Sequence, residues 1–185
     1  MSRVVDVRSV VIQGLSILII CTFIELGAGF MLKGIEGRLT LMPGLAIMAL
    51  PLLEMRGNID GALASRLGTA LHTGIISPRI KLTRELKANL AASLILSLIA
   101  SATIGGLSWI FGVMIGLPVN LMRVTTVAVL AGLISGLILV LLTVCVAVFT
   151  YIHGWDPDNI TSPAMMTIGD FLTVICIYFA VLLMG

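Results

Sequence analysis

The sequence predicts an all-α, polytopic membrane protein with five transmembrane helices. Of the 185 residues, 59% are hydrophobic and only 11% are charged, whereas a soluble domain is about 45–50% apolar and about 25% charged. The apolar residues are also collected into long runs, and a run of about 20 residues is enough to cross a hydrocarbon layer about 30 Å thick. Lipid is therefore expected to be the main solvent of the chain.

The five segments follow one another with little chain between them. They are expected at about 10–32, 39–73, 90–116, 119–151 and 160–184. The second is expected to be broken, because Pro43 and Pro51 interrupt its helical pattern. Pro118 marks the tight turn between the third and the fourth. Since the spans use most of the chain, residues 1–185 are predicted to form one membrane domain without a soluble regulatory domain.

Basic residues predict the orientation, because Lys and Arg beside membrane segments are retained on the cytoplasmic side. With the N-terminus inside, eight basic residues are cytoplasmic: Arg3, Arg8, Arg56, Arg66, Arg79, Lys81, Arg84 and Lys87. Three then lie outside: Lys33, Arg38 and Arg123. Five spans place the C-terminus outside.

Composition also excludes several function classes. A net charge of +2 does not provide the concentrated basic face that nucleic acid requires. Cys21, Cys145 and Cys176 lie in separate apolar runs without a CxxC pair, so we interpret them as small buried hydrophobic residues. Neither His72 nor His153 has a recognisable nucleophile or carboxylate partner in the sequence, and an enzyme is not predicted.

Asp170 is the residue on which the functional prediction rests. It lies about ten residues into helix 5, near the expected middle of the membrane, where no lysine or arginine is expected to pair with it. A charge at that depth costs about 2.5–3.5 kcal/mol on insertion scales and usually faces a cavity or a partner. Thr167 and Thr173 share its helical face. We predict an oxygen-lined cation or proton site, with a protonated, hydrogen-bonded aspartate as the alternative.

The polar half of segment 2 is the second candidate region. One helical face carries Glu54, Asn58, Ser65, Thr69 and His72. Pro51 and nearby glycines leave backbone carbonyls free, which is tolerated at this depth only beside protein or a water-filled path. Asn58 is therefore expected to line a pore. Arg56 and Asp60 are four residues apart and are expected to pair on a solvated interfacial helix.

Other polar residues are expected nearer the helix ends. Glu25 is placed close to the outer end of helix 1, where it would be exposed or snorkelling. Asp156, Asp158 and Asn159 precede helix 5 and could collect cations at the cytoplasmic mouth. Alternatively, Asp158 or Asn159 caps helix 5.

Two motifs resemble the MgtE magnesium channels and their eukaryotic solute-carrier relatives, with the greater likeness to the eukaryotic branch. The first occupies residues 50–70 and contains Gly57-Asn58 followed by an Ala-Ser-Arg-Leu stretch. The second is Asp-Pro-Asp-Asn at 156–159, followed by Gly-Asp at 169–170. The resemblance implies a homodimer with one ion path along the subunit interface, lined chiefly by helices 2 and 5, that carries Mg²⁺ into the cell.

The resemblance also implies residue roles. Asp170 matches the helix 5 carboxylate that binds hydrated Mg²⁺, and Gly57-Asn58 matches the pair that lines the cytoplasmic side of the path. Glu54 and Arg56 stand where less charged residues are expected. Bacterial members carry sensing domains ahead of helix 1 and eukaryotic ones fuse two five-helix units, whereas a single unit is expected here. The predicted metal-site residues are Asp170, Asn58, Gly57, Thr167, Thr173, Glu54 and Asn159.

The leading prediction is divalent cation transport, namely Mg²⁺ uptake through a pore at a homodimer interface in the cell membrane, with no organic cofactor. A Na⁺- or H⁺-coupled carrier that uses Asp170 as its coupling site is the first alternative. The second is a non-transporting membrane scaffold, whose polar residues only join helices.

Overall fold

The computed structural model describes residues 7–78 and 82–184, and helices are the only regular elements in this part of the chain. In order they are α1 (Val7–Leu41), α2 (Leu45–His72), α3 (Arg84–Met114), α4 (Leu121–Ile152) and α5 (Pro157–Met184). The all-α class is therefore confirmed. Arg3, Arg79 and Lys81, which entered the orientation argument, lie outside the described residues.

Four of the described helices are long and apolar enough to cross a membrane: α1 over Val10–Gly34, α3, α4 and α5. This confirms a multi-pass membrane protein. α2 has 28 residues, or about 42 Å at ~1.5 Å per residue, but three charged residues within two turns, Glu54, Arg56 and Asp60, make it less apolar than the others. The fifth span and the direction of the termini stay predictions.

α1 is longer than the sequence pattern predicts. The polar segment 33–38 is predicted to be a turn, but α1 continues through it to Leu41. Lys33 pairs with Glu36 on the next turn, and pairs at this spacing support a helix. The prediction that helix 1 ends near residue 32 is therefore wrong.

The expected interruption of segment 39–73 is present at Pro43 and absent at Pro51. α2 begins at Leu45, after Pro43 in the preceding turn and after Gly44, whose φ of 98° is a left-handed conformation that glycine tolerates. Pro51 lies inside the helix without interrupting it. In a membrane bundle, neighbouring groups compensate the backbone hydrogen bond that a proline removes.

Side-chain caps begin the last three helices. The acceptors are Thr83 Oγ1 for α3, Asn120 Oδ1 for α4 and Asp156 Oδ1 for α5. The cap of α5 is thus Asp156, and the expectation of a cap at Asp158 or Asn159 is wrong, because the helix starts at Pro157. Proline suits the first helical position, where its missing N–H would be unbonded in any case.

α2 contacts all four other helices, α5 contacts α1, α2 and α4, and α3 packs against α4 and α2. α2 runs antiparallel to α5, as two glycine positions show. A Cβ on Gly61 would lie 3.3 Å from Ser162 Oγ, and one on Gly68 would lie 2.5 Å from Asp158 Oδ1. Glycine therefore lets α2 and α5 approach closely along this line.

Candidate cation site

A polar layer crosses the bundle between two apolar clusters. One cluster includes Leu52, Val127 and Ile177, and the other includes Leu63 and Val144. On α2 the residues between the two clusters include the charged groups described next. Each cluster joins α2 to α4, so this layer is enclosed by packed side chains above and below.

The centre of the polar layer is a fully buried ion pair. Arg56 Nη2 donates to both carboxylate oxygens of Asp60, at 2.9 Å to Oδ1 and 2.8 Å to Oδ2, and neither side chain has any exposed surface. Arg56 Nη1 donates to Ser97 Oγ of α3. The pairing agrees with the i,i+4 spacing, but the expected solvated location is wrong because α3, α4 and α5 cover this face of α2.

This ion pair lies at the depth of Asp170. A Cβ on Gly169 would be 3.6 Å from Asp60 Oδ2, so Asp60 faces the residue next to Asp170 in sequence. Arg56 thus lies at the depth of Asp170, where no arginine was expected, but it pairs with Asp60; among the described residues no lysine or arginine pairs with Asp170, as predicted.

Asp170 itself has no salt-bridge partner within the described ranges. It is half-buried, and its Oδ1 atom is buried without a hydrogen-bond partner among those residues. Asp170 lies thirteen residues after the first residue of α5 and fourteen before the last, about 20 Å along the helix at ~1.5 Å per residue. This carboxylate is thus at mid-helix, as predicted, with part of its surface open.

Two glutamates from other helices lie within electrostatic range of Asp170. Glu25 of α1 and Glu54 of α2 interact with it electrostatically. Glu25 Oε1 also accepts a 3.0 Å hydrogen bond from Thr167 Oγ1, which lies one turn before Asp170. Both glutamates are exposed on the surface of the chain. Each glutamate repels the Asp170 carboxylate, and a cation beside Asp170 would offset that repulsion.

Glu25 was missed as a site residue for an identifiable reason. The sequence pattern ends helix 1 near residue 32, which places Glu25 at its outer end. In the structure, eighteen residues of α1 precede Glu25 and sixteen follow it. The sequence contained a signal that helix 1 continues past residue 32, since Lys33 and Glu36 are spaced to pair within a continuing helix.

The polar face predicted on α2 is the exposed face of that helix. Glu54, Asn58, Ser65, Thr69 and His72 are all exposed. Gly57 faces the opposite way and is buried against Met166, with which a Cβ would make 3.8 Å contacts. Asn58 therefore points away from the packed interior of the chain, one turn from Glu54.

The other predicted site residues are spread along α5. Thr167 is buried and bonded to Glu25, whereas Thr173 is fully buried and its Oγ1 has no hydrogen-bond partner in the described part of the chain. Asn159 lies in the first turn of α5, eleven residues before Asp170, or about 16 Å along the helix. It belongs to the end of the bundle, where His72 Nε2 approaches Asp156 Oδ1 at 3.4 Å.

The side chains are not arranged for direct ligation by many groups. Within residues 7–78 and 82–184, no group of three or more His, Cys, Asp or Glu side chains is close enough to hold a metal ion. Mg²⁺ usually keeps several of its waters and is held through one or two carboxylates. Separated carboxylates around Asp170 are compatible with such a hydrated cation.

Comparisons with known proteins identify a family. The family model MgtE, described as a divalent cation transporter, matches residues 49–181. Solute carrier family 41 member 3 of Rattus norvegicus is 27% identical over 149 residues, which are 77% of this chain and 30% of the relative. Its Mus musculus counterpart is 26% identical, with 77% and 28% covered. Solute carrier family 41 member 2 of Xenopus laevis is 29% identical over 140 residues, with 69% and 23% covered.

The chain spans less than a third of the length of these curated relatives. No solved structure matches it significantly. The matched segment includes Glu54, Asp60 and Asp170, while Glu25 lies outside it. Because the family model covers most of the chain and the described helices include four that can cross a membrane, this protein belongs to the MgtE family of divalent cation transporters, as its two motifs predicted.

Proposed function

We propose that this protein carries Mg²⁺ across the membrane along a path that passes Asp170 at the interface of a homodimer. The observation that carries the proposal is the environment of Asp170. Its carboxylate lies at mid-helix without a salt-bridge partner among the described residues, and Glu25 and Glu54 lie within electrostatic range of it. Membership of a divalent cation transporter family supports the same reading.

The carboxylates of Asp170, Glu25 and Glu54 favour a divalent cation over a monovalent one. The attraction between charges scales with their product, so a doubly charged ion gains twice as much from the same carboxylates. Because the carboxylates are spread over three helices, we expect them to contact the cation through its waters, as is usual for Mg²⁺. In this assignment Asp170 is the central group, and Glu25 and Glu54 raise the local cation concentration.

The exposed polar face of α2 supports a second copy of the chain as the covering partner. Glu54 and Asn58 are exposed on a helix of a membrane bundle. Polar groups in contact with lipid are costly there and normally face a cavity or another helix. A homodimer would enclose this face and bring two copies of Asp170 to one path. Gly57 then lets α2 lie close to α5, and Thr167 and Thr173 add hydroxyl oxygens near the central carboxylate.

The same assignment makes α2 the fifth membrane span. Its charges at mid-helix are either paired, as in Arg56 and Asp60, or placed beside the proposed path. We propose the N-terminus inside and the C-terminus outside, following the distribution of basic residues. Asn159 would then lie at the cytoplasmic mouth, beside the His72–Asp156 contact.

The test is Mg²⁺ flux into proteoliposomes that contain the purified protein. We expect flux in the wild type, and a loss of at least about 100-fold in Asp170→Asn, since one central carboxylate per chain is removed. Glu85→Gln is the matched control, because Glu85 lies in the first turn of α3, away from Asp170, and should keep normal flux.

Flux measurements in the same vesicles distinguish a channel, a coupled carrier and a scaffold. Flux that persists when Na⁺ and H⁺ gradients are removed at fixed membrane potential agrees with a channel, whereas flux that collapses assigns a coupled carrier. Absence of any flux from a folded wild-type protein would contradict the proposal and favour a scaffold. Equal flux in Asp170→Asn and the wild type would contradict the assignment of the site.

A further inference from the structure

We propose that Asp60 is a positioning residue that holds and neutralises the Arg56 guanidinium, so that this buried cation does not repel the transported ion at Asp170. The inference rests on the proposed function. Asp60 and Arg56 would then touch no ion themselves, and would act on transport only through the field at the neighbouring site.

The geometry makes Arg56 dependent on Asp60. Arg56 Nη2 holds both Asp60 oxygens, at 2.9 Å and 2.8 Å, and both side chains are fully buried. Arg56 Nη1 donates to the uncharged Ser97 hydroxyl, and Nε has no partner within residues 7–78 and 82–184. Asp60 is thus the one carboxylate in the described part of the chain that pairs with this guanidinium.

The packed surroundings keep the guanidinium in place. A Cβ on Gly136 of α4 would lie 3.0 Å from Arg56 Nη1 and 3.1 Å from Ser97 Oγ, so α4 closes directly over the pair. The side chain therefore has little room to move when its partner is removed. An arginine stays protonated under ordinary conditions, and its positive charge would remain at this depth.

The pair is close enough to the proposed path for that charge to matter. Asp60 Oδ2 lies against Gly169, at 3.6 Å from a Cβ placed there, and Asp170 is the next residue. Electrostatic interactions are stronger in a low-dielectric interior than in water. An unpaired positive charge on Arg56 would therefore act on a cation held at Asp170.

The two single substitutions should therefore act in opposite directions. Asp60→Asn leaves an unpaired positive charge beside the path, and we expect the KM for Mg²⁺ to rise about tenfold or more. Arg56→Gln leaves an unpaired negative charge, and we expect KM to fall. The double variant Arg56→Gln/Asp60→Asn is neutral again, and its KM should return to within about threefold of the wild type. Asp60→Glu keeps the charge and should also keep KM within about threefold.

The experiment measures KM and maximal flux in proteoliposomes for these variants, using protein that elutes as a folded species. Opposite shifts in KM that cancel in the double variant support the proposal. A purely structural role predicts less folded protein and a lower maximal flux in both single variants with KM unchanged, and that result would overturn it. If Asp60→Asn does not fold, Arg56→Gln decides: a KM below the wild-type value supports screening, and a KM equal to the wild-type value contradicts it.

The proposed function and the screening role of Asp60 are contradicted by different results. A wild-type protein without flux contradicts the proposed function. The same variants are then compared by the Mg²⁺ concentration at half-maximal thermal stabilisation, which requires binding but no transport. Opposite shifts of this midpoint in Asp60→Asn and Arg56→Gln would still support screening, and equal midpoints in all variants would overturn it.

Discussion

Asp60 and Asp170 lie in one polar layer of the bundle and have opposite surroundings. Asp60 is fully buried, and both of its oxygens accept hydrogen bonds from one guanidinium. Asp170 is half-buried, one of its oxygens lacks a hydrogen-bond partner in the described part of the chain, and the charges that interact with it are also negative. Depth in the membrane therefore does not distinguish an aspartate that is paired within the chain from one that has no cationic partner among the described residues, whereas the neighbouring helices do.

The physical reason is compensation of charge. An ionised group without water is strongly unfavourable unless a partner or a ligand neutralises it. Arg56 provides that neutralisation for Asp60 within the chain. For Asp170 no cationic side chain in the described residues does so, and under the proposed function the transported cation takes this role.

The largest expected effect is the loss of stability when the Arg56–Asp60 ion pair is broken. Asp60→Leu leaves Arg56 buried without a counter-charge, and we expect the free energy of unfolding to fall by about 3–5 kcal/mol. In Arg56→Met/Asp60→Leu both charges are gone, and stability should recover to within about 1 kcal/mol of the wild type or exceed it. Chemical or thermal unfolding in detergent measures both. A double variant as unstable as the single one would show that the pair contributes more than mutual neutralisation.

A smaller effect should follow from crowding the pair while both charges are retained. Gly136→Ala places a Cβ 3.0 Å from Arg56 Nη1, and overpacking of this kind costs about 1–3 kcal/mol of unfolding free energy. Gly106→Ala is the matched control, because a Cβ on Gly106 meets nothing within 4 Å. The unfolding temperatures of the two variants, measured side by side, check this. Equal temperatures would mean that α4 does not hold the guanidinium in place.

The smallest expected effect is on the KM for Mg²⁺ when Glu25, one of the glutamates that interact with Asp170, is substituted. Glu25→Gln removes one of the two charges that interact with Asp170 but keeps an oxygen that can accept from Thr167. We expect the KM for Mg²⁺ to rise about threefold, because a charge near the path is lost while the hydrogen bond can persist. Glu36→Gln, at the exposed end of α1 beside Lys33, is the control and should leave KM unchanged. A KM for Glu25→Gln equal to that of the control would remove α1 from the site.

Much of the fold could be predicted because it depends on local pattern. The runs of apolar residues predict five helices in the right order, and Asp170 stands out because so few charges interrupt those runs. The helix ends were less predictable. In residues 33–38 the local preferences for helix and for turn are balanced, so the sequence pattern does not show that α1 continues through them. Pro51 is tolerated in α2 only because other helices surround it.

The candidate site was predictable only in part. Asp170, Thr167 and Glu54 were named from the sequence as site residues, and that assignment stays a prediction. Glu25 was placed elsewhere because the end of helix 1 was misjudged. The Arg56–Asp60 spacing predicts a pair equally well on a wet surface and in a packed interior, so spacing alone could not show that it is buried.

The sequence by itself determined that the chain lies in a membrane, that it is helical, that it belongs with divalent cation transporters and that Asp170 is an isolated mid-helix carboxylate. These properties follow from composition, periodicity and short motifs. The tertiary structure decided that Asp60 is enclosed with Arg56, through Ser97 of α3 and the small residues Gly136 and Gly169. It also decided that Glu25 and Glu54 lie within electrostatic range of Asp170. Contacts between helices join residues more than a hundred positions apart, and no local pattern records which of them meet.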